Sequence, residues 1–325
     1  MKYLVINDEH ELYRNMYADF FRTDQYDIEE IPWFEPVPGP LNLVRDLHFS
    51  ERVNRHLWLP LKGAWNSTYA LSDYPFDSQE RYWVIILNGT LRTHYSDGFF
   101  EKLRRTHPNV RVAMVLYDSS CNPSSSRAFR MSDEFDAVFS FDEGDCARYG
   151  FEHIWSTLSY PDFVRKDPEM ASDAFFVGTA DGRCEILTES LSRVASVLSS
   201  CHFEVVGVPP SSRVESTVIE YGPGMSYTRA LQYSYNSGCL VEVVRPGQVG
   251  VTLRTCEAIM FNKKLLTNNA SLKSMPFYNP EYMSIFKSPD EIDESFLLAD
   301  MDVDYQYDGC FSPIRIVKRL EELTW

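Results

Sequence analysis

The chain has 325 residues, 44% hydrophobic and 24% charged, which is the composition of a globular protein with room for two domains of ordinary size. Its formal net charge of −16 excludes non-specific nucleic-acid binding and obliges any anionic ligand to find a local basic patch. Seven cysteines without a Cys-x-x-Cys make neither a disulfide framework nor a zinc site, and no apolar run approaches the ~20 residues that span a bilayer.

In chain order, Tyr3–Ile6 is an apolar strand that acidic residues interrupt at once, which excludes a signal peptide and makes the cytoplasm the expected setting. Asp8, Glu9 and His10 follow it, and helical periodicity runs from about Leu12 to Phe21. Pro36–Pro40 is a rigid turn, and Leu41–Leu57 returns to helical spacing. Tyr82–Leu87 is a buried strand, Asp97–Arg105 a helix and Val110–Leu116 the next strand. Tyr117 and Asp118 lead from it into the serine-rich loop Ser119–Ser126, with Arg127 beyond. Ala137–Phe141 is a strand, and Asp142 caps a short helix through Tyr149. Repeated strand–helix alternation requires parallel sheets covered on both faces.

A linker is expected within Tyr160–Met170. The second alternating unit has strand Phe175–Gly178, a turn at Gly182 with Arg183 at the following helix start, helix Glu185–Ser200, strand Phe203–Val208 and helix Met225–Tyr235. An apolar strand, Cys239–Val244, then enters Arg245–Ala258, read RPGQVGVTLRTCEA: strand, glycine turn, then a helix beginning near Thr252. Gly247 and Gly250 let an anion approach the backbone. Unpaired N–H groups and the positive end of the helix dipole suit a phosphate. Glu257 is placed where a carboxylate can accept from a ribose diol, although a lone helical glutamate is also commonly solvated. Strand Lys264–Thr267, a short strand at Met283–Phe286, a helix from Pro289 and an amphipathic helix Pro313–Leu323 complete the chain.

The succession Gln248, Gly250, Thr252, Arg254, Glu257, Ala258, then Lys263–Thr267 and Asn268–Asn269, resembles bacterial GT-B glycosyltransferases, in particular the lipopolysaccharide and capsular polysaccharide biosynthesis group. The resemblance covers roughly residues 110 to 290 and is weak in the first hundred. It implies two Rossmann-like doubly wound domains with a cleft between them: 1–165 on the acceptor side, 171–305 for the nucleotide sugar, and 306–325 as a helix returning to the first domain. It implies Glu257 on ribose, and Gly178, Arg183, Gln248, Gly250, Thr252 and Arg254 around the diphosphate. Val249 stands where retaining enzymes of this type often carry a glutamate, which leaves the stereochemical outcome open.

On the acceptor side the candidates for acid–base work are His10, Asp8 and Asp118, each of which also reads as an ordinary loop or cap residue. Asp300, Asp302 and Asp304 have D-x-D spacing but lie after both sheets, as an acidic linker would, so no metal and no cofactor is expected. The G-x-G-x-x-G dinucleotide fingerprint is absent. The activity the resemblance implies is sugar transfer from a nucleotide-sugar donor to a hydroxyl of a glycan or lipid-linked glycan. A non-catalytic nucleotide-sugar or glycan-binding protein of the same fold is the alternative. The basic helix at Lys102, Arg104 and Arg105 offers peripheral contact with the inner membrane face, or simply a solvated surface.

Overall fold

Apolar runs such as Tyr82–Leu87 can be buried on both faces only where helices cover each side of a parallel sheet. The computed structural model, which describes residues 1–6, 10–54, 57, 59–87, 94–122 and 125–323, contains two such sheets. The chain divides into Met1–Ile154 with Pro313–Trp325, and Trp155–Ser312.

The first unit runs β1 (Lys2–Ile6), α1 (Glu11–Met16), β2 (Asp27–Ile31), α2 (Gly39–Phe49), α3 (Glu51–Asn54), α4 (Ala70–Asp73), β3 (Tyr82–Leu87), α5 (Phe99–Thr106), β4 (Val110–Leu116), α6 (Ser126–Arg130), β5 (Ala137–Ser140), α7 (Glu143–Tyr149) and β6 (Glu152–His153). Its strands are parallel in the order β2-β1-β3-β4-β5-β6. β3 is buried at every position, and its register with β4 pairs Tyr82 with Val110 and Leu87 with Val115. β2 is an acidic edge strand, DIEEI, tied to β1 by the Lys2–Glu29 ion pair. Two helical expectations are corrected. The first helix stops at Met16 and tightens into a 3-10 turn, Ala18–Phe21. Gly39 and Pro40 belong to the first turn of α2, where proline has no N–H bond to lose.

The second unit runs β7 (Ser172–Thr179), α8 (Cys184–Ala195), β8 (Cys201–Val206), β9 (Ile219–Gly222), α9 (Tyr227–Asn236), β10 (Ser237–Glu242), α10 (Leu253–Met260), β11 (Lys264–Thr267), β12 (Met283–Ile285) and α11 (Glu294–Leu298). Its six strands are parallel in the order β12-β11-β10-β7-β8-β9. The fold is thus two doubly wound α/β domains.

The unit boundary falls before the proline-bearing stretch 160–170, because the residues just ahead of it are already tied into the second unit. The Trp155 ring meets Phe277 at 5.4 Å, Ser156 donates to the Val251 carbonyl, and Leu158 N donates to the Phe311 carbonyl at 2.8 Å. The final helix, α12 (Ile314–Glu322), belongs to the first unit. It buries Ile316, Val317 and Leu320, while Arg319 reaches Glu152 at 2.9 Å.

Burial also sets the alkaline limit of stability. It pushes the thiols of Cys146 and Cys201 up to about 11 and that of Cys239 up to about 12. A thiol whose folded pKa is raised keeps its proton when the unfolded chain has lost it, so stability falls as pH rises between about 9 and 11. Lys62 and Lys263, lowered by burial to about 8, and Arg183, lowered to about 10, act in the opposite sense and are outnumbered once Cys256, Tyr69, Tyr95 and Tyr227, all raised by burial, join the thiols. The melting temperature is therefore expected to drop from pH 9 to pH 11, with Cys239→Ala showing the shallower slope. A wild-type melting temperature that rises across this range would contradict the assignment.

Candidate functional site

In the second sheet the chain builds outward from β7 through β8 to β9, then restarts at β10 on the other side and continues to β11 and β12. The order reverses between β7 and β10. A crevice at the carboxyl ends of such neighbouring strands is where doubly wound sheets hold their ligands. Here those ends are Gly178–Arg183, after β7, and 243–252, after β10.

Arg183 spans the two. Its Nε and Nη2 donate to the Thr179 carbonyl at 3.1 and 3.0 Å, and Nη1 donates to the Val243 carbonyl. Gly178 makes room for it: a Cβ there would stand 3.1 Å from the Phe176 ring and 3.4 Å from Arg183 Nη2. Burial first, and the Arg245 charge second, depress the Arg183 guanidinium to about 10, with Arg254 adding to the effect. Glu242 and Asp181 offset part of this repulsion, and an anion beside Arg183 would relieve what remains. Arg245 lies 3.2 Å from Asp181, both well exposed, so this pair can open at little cost. Helix α8 starts at Arg183 without a side-chain cap, which leaves its first N–H groups facing the same crevice.

The α10 turn is more occupied than its sequence implies. Gly247 and Gly250 have φ of 81° and 89°, the left-handed region, as the turn demands. Gln248 closes the turn on Arg245, its N donating to the Arg245 carbonyl at 3.0 Å. Gly250 N donates to Ser271 Oγ at 3.2 Å, and the Gly250 carbonyl accepts from Asn269 Nδ2 at 2.8 Å. Thr252 caps the helix, its hydroxyl accepting from Arg254 N at 3.1 Å and Thr255 N at 3.4 Å. The expectation of open N–H groups at this helix is thus corrected for two of them: the cap uses them.

Glu242, which sequence reading passed over, fixes that cap. It is buried at the end of β10 and accepts from the hydroxyls of Thr252, Thr255 and Thr267. A carboxylate closing an apolar strand just before a glycine turn was the available signal.

Glu257 is 1% exposed. Its Oε2 accepts from Arg254 Nη1 at 2.6 Å and Ser234 Oγ at 2.7 Å, and Oε1 accepts from Tyr227 at 3.1 Å. Arg254 also donates to the Val177 carbonyl at 3.3 Å and lies over the Phe175 ring at 5.0 Å. The structure therefore pairs these two residues with each other, three positions apart on α10. The alternative reading of Glu257 as a solvated helical glutamate is corrected by its burial.

Of the other basic candidates, Lys264 donates to the carbonyls of Phe296, Leu297 and Ala299, at the amino end of β11 and away from the arginines. Asp300, Asp302 and Asp304 are exposed in an extended stretch, and Asp304 accepts from Gln306 N at 2.9 Å. Among the described residues, no group of three or more His, Cys, Asp or Glu could hold a metal ion.

In the first unit, Asp8 lies outside the described residues. His10 is exposed and caps α1, its Nδ1 accepting from Leu12 N at 3.2 Å. Asp118 follows β4, half-buried. The segments carrying these two meet through Tyr13 and Tyr117, whose rings lie 4.6 Å apart with their hydroxyls hydrogen-bonded. No helix among the described residues is long and apolar enough to cross a membrane.

No protein-family model and no curated protein matches the chain. Solved structures do. The UDP-GlcNAc 2-epimerase of Methanocaldococcus jannaschii, in complex with UDP-GlcNAc and UDP, is 12% identical, with 99% of this chain and 100% of that one covered and a TM-score of 0.52. S. aureus MnaA with UDP is 11% identical over 99% and 96%, at a TM-score of 0.51. An alpha-glucosyltransferase in complex with UDP-glucose and DNA is 8% identical over 83% and 80%, at 0.49. At these identities the first two likenesses, both above a TM-score of 0.5, show the fold alone, two α/β domains of the GT-B type.

Proposed function

We propose that the protein is a glycosyltransferase that moves a sugar from a nucleotide-sugar donor to a hydroxyl of a glycan or lipid-linked glycan, in cell-surface polysaccharide or lipopolysaccharide synthesis. The observation that carries this reading is the placement of Arg183 across the β7–β10 crossover, on the Thr179 and Val243 carbonyls, with Arg245 beside it on the exposed Asp181. A diphosphate suits that placement. Arg183, through its fork, and Arg245, after leaving Asp181, would hold the phosphates beside the α8 N-terminus. The acceptor oxygen attacks the anomeric carbon, the bond to the diphosphate breaks, and the nucleotide departs with the electron pair. Fixed cations aimed at that developing charge supply the main catalytic effect, and no metal ion is required. The proton of the acceptor passes to a base or to water, and His10 and Asp118 are the candidates in the first unit. The order from Gln248 to Asn269 supports transfer, and likewise the polysaccharide setting.

The second reading is epimerisation of a UDP-sugar. It draws on the UDP-GlcNAc 2-epimerase above, whose match covers 99% of this chain. Incubating the protein with UDP-GlcNAc and a panel of UDP-sugars, with glycan acceptors and excess EDTA, separates the readings by NMR. Transfer releases UDP and forms a glycoside. Epimerisation yields the 2-epimer without net UDP. A binding protein leaves the donor unchanged. Activity lost in EDTA and restored by manganese would overturn metal independence.

A further inference from the structure

The first unit holds a second gathering of basic groups. Trp33 and Phe34 follow the carboxyl end of β2, His94 lies between β3 and α5, and Arg127 stands in α6 after β4. Arg45 and Phe49 come from α2, and Lys62 from the turn beyond it; both belong to the insertion between β2 and β3. These segments leave the carboxyl ends of their strands, the end at which parallel sheets take ligands.

The groups form a ladder of cations and rings. Arg45 lies 4.3 Å over the Phe34 ring and Lys62 lies 4.6 Å over Phe49. The His94 ring stacks on Phe49 at 5.1 Å and meets Trp33 at 4.1 Å. Arg127 donates to the His94 carbonyl at 2.9 Å. Arg45, Lys62, His94 and Arg127 are all buried, whereas the carboxylates paired with two of them are exposed: Asp46 near Arg45 at 3.7 Å and Asp97 near Arg127 at 3.0 Å. Glu134 also acts on Arg127. Arg45 Nε and Trp33 Nε1 are buried donors without a hydrogen-bond partner among the described residues.

Apolar side chains at these positions would hold the insertion in place without desolvating three cations. Burial, with Arg127 close by, lowers the Lys62 ammonium to about 8, and burial lowers Arg127 too. Lys62 donates to the His48 carbonyl at 2.9 Å and Arg45 Nη1 to the Glu35 carbonyl at 3.1 Å, so it is the two unmet donors, Arg45 Nε and Trp33 Nε1, that ask for an acceptor-rich anion, and the half-exposed rings of Trp33 and Phe34 offer a face for a sugar. On a chain of net charge −16, an anionic molecule is repelled almost everywhere else.

We infer that this cluster is an acceptor subsite for an anionic sugar, with a phosphate or carboxylate held by Arg45 and Lys62 and the sugar ring against Trp33 and Phe34. The inference rests on the glycosyltransferase reading and deepens it by naming the acceptor class.

The test uses the full chain without donor, titrated with glucose 6-phosphate, glucuronate and glucose and followed by NMR, with UDP titrated into the same samples. At least one anionic sugar should bind ten or more times tighter than glucose, and which of the two does so distinguishes phosphate from carboxylate. Lys62→Met and Arg45→Gln should each weaken that binding about tenfold, whereas Arg183→Ala should weaken UDP and not the sugar. If Lys62→Met does not fold, Arg45→Gln carries the test. Anionic sugars binding no tighter than glucose, or equally well to the folded variants, would overturn the subsite. UDP binding retained in that case would show that the donor-site reading had survived it.

Discussion

Replacing Glu257 by alanine is expected to lower the stability of the protein by about 3–5 kcal/mol, because it strands a buried charge. Arg254 donates to Glu257 at 2.6 Å, and the carboxylate also accepts from Ser234 and Tyr227. Without it, the guanidinium keeps one serine and one carbonyl as neutral partners, and the hydroxyls of Ser234 and Tyr227 lose their acceptor. At roughly 2–4 °C per kcal/mol for a chain of this class, the melting temperature should fall by about 10 °C. Glu257→Gln retains acceptor and donor capacity and should fall less, which makes it the variant in which ribose binding can be read. Thermal unfolding of both, compared with wild type, checks the argument. An unchanged melting temperature for Glu257→Ala would mean that the buried network is not formed.

The parts of the fold legible in the sequence are those whose residues answer to one strong force. Tyr82–Leu87 and Val110–Leu116 are apolar at nearly every position, and β3 and β4 keep those bounds. Among the edge strands the apolar β12 was legible, whereas β2, which reads DIEEI, and β6, of two residues, escaped because a strand with one neighbour needs little apolar surface. β9 begins a polar edge of the same kind in the second sheet.

The candidate site was legible by position and not by partner. Spacing located the turns at Gly178–Arg183 and Gly247–Thr252, and the parallel topology brings both to one crossover. Which way each side chain turns depends on neighbours distant in sequence. Thr252 faces α10 because its hydroxyl donates a hydrogen bond to Glu242, and Thr267, across the strand pair, shares that carboxylate. Arg254 turns to Glu257 because three positions on a helix bring them side by side, a local rule that the phosphate reading overrode. Lys264 is near the α10 turn in sequence but not in space. As the first residue of β11 in a parallel sheet, it must stand at the end opposite the turns.

Arg183 carries the central claim, that the crossover between β7 and β10 is a nucleotide-diphosphate site. Among the described residues its guanidinium bonds backbone carbonyls, of Thr179 and Val243, while Arg245 and Arg254 repel it and Glu242 and Asp181 offset part of that. A bound diphosphate would turn neutral contacts into charge-assisted ones worth roughly 1.5–3 kcal/mol, so Arg183→Ala should weaken binding about tenfold to a hundredfold. Arg183→Lys keeps the charge but loses the planar fork and should fall between. The stability cost of Arg183→Ala should be small, because removing a desolvated cation offsets the two carbonyls left to water. The decisive measurement is a calorimetric titration of UDP into wild type and Arg183→Ala, with near-ultraviolet circular dichroism showing that both are folded. The site as described predicts UDP binding to wild type and a loss of at least tenfold in the variant. Equal affinity in the folded variant would contradict it.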